Sequence, residues 1–116
     1  MNEDKLQQSI YMWFNNTYVI KDRRCMILSI PNGGLRDKMT AITMKATGLY
    51  KGAADLLVVF RGWVGFVELK TEIGIQSPAQ RQFEAHCIEA GIHYRLVRSL
   101  AEFQQLIADL DNAKPE

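Results

Sequence analysis

Asp55 and the triplet Glu68-Leu69-Lys70 place two carboxylates and an amine on neighbouring segments of the chain. Converging acids supply the oxygen ligands that a hard divalent cation takes, and the carbonyl of Leu69 offers a third. A metal held there would acidify a bound water, and the Lys70 ammonium would orient that water or offset charge developing on phosphorus. The chemistry this set suits is phosphodiester hydrolysis. What must bring the groups together is the stretch between them. Leu56-Leu57-Val58-Val59-Phe60, then Arg61-Gly62-Trp63, then Val64-Gly65-Phe66-Val67 is a β-rich apolar pattern broken once by a Gly-containing turn. With the turn centred near Gly62, partner numbers sum to about 124, which sets Asp55 opposite Leu69, between Glu68 and Lys70. Side chains alternate along a strand, so Glu68 and Lys70 share a face.

Flanking residues add to this. Asp55 follows Gly48-Leu49-Tyr50-Lys51-Gly52-Ala53-Ala54, whose small residues let another backbone or a ligand come close. Glu68 and Lys70 end an otherwise apolar strand, a costly place for charge unless it is paired or bound to metal. Glu3, with Gln7 one turn later, opens the first helix and is a further candidate ligand, although an acid there also suits the helix dipole. Gln80 is a candidate too, alongside its part in a capping box with Ser77. A bare Asp and Glu-x-Lys pair equally describes a surface salt bridge of near-neutral energy. His86 and His93 lack ligand spacing, Gly33-Gly34 lacks the phosphate-loop pattern, and Trp63 at the hairpin tip is best explained by packing.

The other elements follow from periodicity and punctuation. Leu6, Ile10, Trp13 and Phe14 recur at helical spacing from Glu3 until Asn15-Asn16 ends the helix. Cys25 to Ile30 is a short apolar strand stopped by Pro31-Asn32-Gly33-Gly34. Met39, Ile42 and Ala46 mark a helix over 36–47, with Gly48 as its stop. Ser77-Pro78 opens a helix with Phe83, Cys87 and Ala90 buried and Gly91 at its end. Ile92 to Val97 alternates as a strand, and Ser99 with Glu102 caps a last helix bearing Leu100, Phe103, Leu106, Ile107 and Leu110. The order α-β-α-β-β-α-β-α predicts an α/β fold, a mixed β-sheet flanked by helices.

A chain of 116 residues with 47% apolar and 23% charged residues is expected to form one domain, residues 1–116, and neither a disordered chain nor a coiled coil. The start lacks a secretory pattern and no apolar run is long enough to cross a bilayer, so a cytoplasmic protein with no membrane partner is expected. Cys25 and Cys87 are isolated and are expected to be reduced and buried. The net charge of +1 says little about polyanions.

Taken together, Glu3-x-x-x-Gln7, Pro31-Asn32-Gly33-Gly34, Gly48-x-x-x-Gly52-x-x-Asp55-Leu56, Glu68-Leu69-Lys70, Gln76-Ser77-Pro78-x-Gln80 and Gly91-Ile92-x-Tyr94-x-Leu96-Val97 resemble a minimal VRR-NUC domain of the PD-(D/E)xK nuclease superfamily. The resemblance runs from Glu3 to about Ile107. It implies a restriction-endonuclease-like core, with Asp55, Glu68 and Lys70 on the catalytic positions and Glu3 and Gln80 completing the site. Ala53-Ala54 stand where a Pro often precedes the catalytic Asp, a departure that removes no ligand. By the same resemblance, stand-alone domains of this kind are similar to Holliday-junction resolvases and act as homodimers. The expected activity is therefore Mg²⁺- or Mn²⁺-dependent cleavage of DNA, selective for branched structure because no base-reading helix or finger is evident. Lys51, Arg36 and Arg81, with the amides of Gly33 and Gly34, are the expected phosphate contacts. The competing readings are a nucleic-acid-binding or assembly module that keeps the fold without cutting, and a hydrolase of small phosphoesters.

Overall fold

In a computed structural model, which describes residues 2–31, 42, 43 and 45–113, the apolar runs form strands β1 (Cys25–Ser29), β2 (Leu56–Phe60), β3 (Trp63–Leu69) and β4 (His93–Val97). They lie side by side in chain order; β1 and β2 are antiparallel, as are β2 and β3, while β4 runs parallel to β3. The parallel pair is joined by a helix, α2 (Pro78–Ala90), and α1 (Glu3–Phe14) and α3 (Leu100–Asn112) lie on the sheet's other face. This is the mixed, helix-flanked sheet that the order of elements predicts. Of the helix expected over 36–47, Ile42, Thr43, Lys45 and Ala46 are helical, and the chain leaves at Gly48 with φ of 108°. Gly33, Gly34 and Arg36 lie outside the described residues.

Period-two alternation divides the sheet between two cores. Leu56, Val58, Phe60, Val67 and Leu69 turn to one face, where Leu6, Ile10 and Phe14 of α1 and Phe103 and Ile107 of α3 cover them. On the opposite face Phe66 and Tyr94 pack with Ala53, Ala54 and the α2 residues Phe83 and Cys87. Cys25 and Cys87 are both buried and free. Trp63 is a packing residue, as expected: its ring folds over Gly65, where a Cβ would meet it at 2.3 Å, and stacks on His93 with centroids 5.2 Å apart.

Two local expectations are corrected. The α-helical turns of α1 end at Phe14, with Asn15 as the cap, as expected, but the chain does not leave the helix axis there: it goes on as a π-helical turn, Asn15–Val19, with the Ile20 N–H donating to the Asn15 carbonyl at 3.1 Å. That wider turn places the Tyr18 ring against Phe14 and Phe60, at 5.5 and 5.2 Å between centroids, and aromatic packing outweighs the local preference of asparagine for a stop. The second correction is the hairpin register. Phe60 pairs with Trp63 and Leu56 with Val67, so partners sum to 123, one less than expected. The turn is the two-residue pair Arg61-Gly62, both at positive φ (47° and 98°), the signature of a turn whose twist matches the strands. Arg61 holds a conformation rare for its type because its guanidinium donates to Asp22 and Asp111, both at 2.9 Å.

Candidate active site

A one-residue shift in register changes which face every side chain joins. Extended by one step beyond the Leu56–Val67 pair, the observed register sets Asp55 opposite Glu68, not Leu69. Asp55 and Glu68 then share a face, and Lys70 joins them two residues on. The carboxylate of Asp55 is anchored where the strand ends: its Oδ2 accepts the Leu69 N–H at 2.8 Å. The sequence pattern is thus correct in bringing the three groups together, and the correct register explains why they face one another.

Glu68 is completely buried and Lys70 is 8% exposed. One Glu68 oxygen, Oε2, accepts from Gln80 Nε2 at 3.1 Å and lies 4.0 Å from Lys70 Nζ. The other, Oε1, is buried with no hydrogen-bond partner. Burial, and then the charge of Asp55, push the Glu68 carboxyl up to about 8; Lys70 opposes them. Asp55 is raised as well, chiefly by burial, against the pull of the Leu69 N–H. Ionised together, the two carboxylates would carry one charge more than Lys70 offsets in a low-dielectric setting, and the raised Glu68 carboxyl is how the metal-free protein avoids that cost.

Those are donors suited to a divalent cation. All are oxygen, and a cation between Asp55 and Glu68 would supply the positive partner that Oε1 lacks. Among the described residues no group of three or more His, Cys, Asp or Glu is arranged to hold a metal. A cation held there would have two carboxylates from the protein, its remaining positions left to a carbonyl, water or substrate. Glu3 is exposed on the first turn of α1 and does not join Asp55 and Glu68 in a three-acid set. Its charge raises Glu68, and the charge of its neighbour Asp4 raises Asp55.

Gln80 takes both expected roles. Its Oε1 accepts the Ser77 N–H at 2.8 Å while Ser77 Oγ accepts the Gln80 N–H at 3.1 Å, a full capping box, and its amide nitrogen is left free for Glu68. The helix start that makes the cap therefore aims a donor into the site. Gly52 lets α2 sit there. It has φ of 85°, and a Cβ on it would lie 2.4 Å from the Ala79 carbonyl carbon and 2.8 Å from the Gln80 nitrogen. The room left by the small residues before Asp55 is filled by the first turn of α2.

Two surrounding groups escape the sequence reading. Tyr94 is buried beneath α2; its hydroxyl accepts from Gln76 Nε2 at 3.1 Å, and the same amide nitrogen reaches Glu84 Oε1 at 3.0 Å. Burial first, and the charge of Glu68 next, push the Tyr94 phenol well above its usual range, which sets it within electrostatic reach of the site. Arg98 follows β4, and its Nη1 donates to the carbonyls of Thr71 and Gly74 at 2.8 and 2.7 Å. Both residues look structural in sequence, one as a strand aromatic and the other as a solvated cation. Among the expected phosphate contacts, Lys51 is exposed, and Arg81 is exposed with its guanidinium donating to the Gln76 carbonyl at 2.9 Å. His86 Nδ1 and the Tyr50 hydroxyl form a hydrogen bond at 3.0 Å.

No family model and no curated protein matches the chain. Among solved structures it is similar to a VRR_NUC domain protein, with a TM-score of 0.68 and 17% identity over 97% of this chain and 87% of that one. No described helix is long and apolar enough to cross a membrane. At that identity the likeness speaks for architecture, and architecture and the order of elements agree: the chain has the fold of a VRR_NUC domain protein.

Proposed function

We propose that the protein is a Mg²⁺- or Mn²⁺-dependent nuclease that hydrolyses DNA phosphodiester bonds, acting at branched structures such as four-way junctions or flaps and working as a homodimer. The observation that carries the proposal is the buried Glu68 oxygen without a donor, set against Asp55 and beside Lys70. A fold-only module has no use for that costly arrangement, and this is what weighs against a purely binding role.

Asp55 and Glu68 would hold the cation, with the Leu69 carbonyl as an added ligand and Glu3 supplying negative charge nearby. When bound, the metal lowers the pKa of water and offsets charge on the phosphate. Leu69 N–H keeps the Asp55 carboxylate in one orientation, and Gln80 does the same for Glu68. The Lys70 ammonium, held 4.0 Å from Glu68, positions the attacking water and donates to the phosphate oxygen as charge builds there. Lys51 and Arg81 would carry backbone phosphates, and Arg36 and the Gly33 and Gly34 amides are further candidates for the same role. A dimer would double the basic surface that one near-neutral subunit offers.

The test is cleavage of labelled flaps, forks and four-way junctions with Mg²⁺ or Mn²⁺. Asp55→Ala and Lys70→Ala are expected to lower the rate by at least about a hundredfold while binding in gel shift persists. Wild-type protein that binds junctions and cuts none of them would establish the binding module instead. Hydrolysis of small phosphoesters with no affinity for DNA would move the substrate class.

A further inference from the structure

Ile73 and Ile75 are 90% and 80% exposed, the most exposed large apolar side chains among the described residues. They belong to the loop that leaves the catalytic strand immediately after Lys70. Isolated surface isoleucines are ordinary, but two β-branched side chains on one loop beside a charged site are not expected from solubility alone.

That loop is held firmly. Arg98 Nη1 donates to the carbonyls of Thr71, Gly74 and, at 3.4 Å, Glu72, so one guanidinium gathers three backbone oxygens. A turn closes it, with the Gly74 N–H donating to the Thr71 carbonyl at 3.2 Å. Gly74 lets the loop settle over the lysine: a Cβ there would come 3.0 Å from Thr71 Oγ1 and 3.4 Å from Lys70 Cδ. The position of the loop is therefore tied to the stem of Lys70.

Resting on the nuclease reading above, we propose that Ile73 and Ile75 form an apolar wedge that enters the stack of unpaired or weakly paired bases at a DNA branch and so decides which structures are cut. Chain length sets the reach: three residues span at most about 11 Å, so Ile73 lies within about three base-pair steps of the phosphate at Lys70. Chemistry sets the target. The sole charged side chain of residues 71–76 is the acid Glu72, which repels phosphate, so the loop's attraction for nucleic acid must come from apolar contact with base faces. Inserted Ile, Leu or Phe side chains unstack a step at a cost that is least where pairing is already broken, and the cost thereby favours branch points over continuous duplex.

The experiment places 2-aminopurine at the branch of a junction and of a flap and adds full-length Asp55→Ala protein, which is expected to bind without cutting. Fluorescence is expected to rise, and the rise is expected to disappear when Ile73→Ser and Ile75→Ser are added. In the cleaving protein the same two substitutions are expected to lower the ratio of branched to unbranched cutting by about tenfold. Both side chains are solvent-exposed, so folding is not at stake, and thermal unfolding would verify it. An unchanged fluorescence rise and cutting ratio would overturn the wedge. So would a loss of dimer in sedimentation with the fluorescence rise retained, which would make the pair a protein contact. Because the fluorescence reads unstacking without cutting, a protein that unstacks branches through these residues but never cleaves would sink the nuclease reading, and with it the wedge's part in choosing what is cut, while the insertion into the branch would stand.

Discussion

The β2–β3 hairpin carries a charge cluster at each end, and the two are opposite in character. At the turn, Arg61 bridges Asp22 and Asp111, Arg24 also reaches Asp22 at 2.9 Å, and every contact joins opposite charges. Hydrogen bonds from Arg24, and then from Arg61, hold the Asp22 carboxyl far below the usual carboxylate range. At the other end Asp55 and Glu68 face each other, one oxygen has no donor, and both carboxyls are raised. The turn cluster spends charge on holding a register. The far cluster opposes folding and is held in place by the packing around it, an arrangement that the proposed metal-binding role would explain.

That contrast can be broken most severely at the packing that holds the acids together. Gly52→Ala puts a Cβ 2.4 Å from backbone at a positive φ, so the first turn of α2 must move and carry Gln80 away from Glu68. A cost of about 1–3 kcal/mol in urea unfolding is expected, together with loss of cleavage. Near-normal stability and activity would show that α2 does not position the site.

Glu68→Gln sharpens the comparison through pH. The folded carboxyl titrates at about 8 against an ordinary 4.5, so between those values the folded protein keeps a proton that the unfolded chain has lost. In metal-free buffer, wild-type stability should therefore fall as pH rises through that window. The glutamine variant should flatten this slope and forfeit stabilisation by Mn²⁺, read as a smaller rise in Tm when the ion is added. A slope that survives the substitution would move the strained group elsewhere.

The smallest effects belong to the turn. Arg61→Ala should lower the urea midpoint by less than a core truncation such as Phe14→Ala, for which about 3–5 kcal/mol is usual, because the bridged groups are partly solvated. Asp22 has the reverse pH sign to Glu68. Its contribution is complete above the ordinary carboxylate pKa and is lost as pH falls through the depressed folded value, so Asp22→Asn should be less stable than wild type at neutral pH and indistinguishable in strong acid. An Asp22→Asn midpoint equal to wild type at neutral pH would remove the turn cluster from the account.

Much of this was legible in residue order. Short apolar runs mark three strands and alternation the fourth, Ser77 with Gln80 and Gly91 bound α2, and Asp55, Glu68 and Lys70 stand out as charge at the end of an apolar hairpin. These signals are local: a period of two, a cap and a turn are written within a few residues. The register was not local: the turn sets Arg61 at a positive φ that is rare for its type, and the groups that hold its guanidinium there, Asp22 and Asp111, are 39 and 50 residues away. The continuation past Asn15-Asn16 likewise needs Phe60 to receive Tyr18. Sequence alone determined which residues could do chemistry and the order of elements that would carry them. Only the tertiary structure decided that Asp55 faces Glu68, that Gln80 serves both a cap and a carboxylate, and that Arg98 ties the loop after Lys70, since each depends on groups brought together by packing of distant segments.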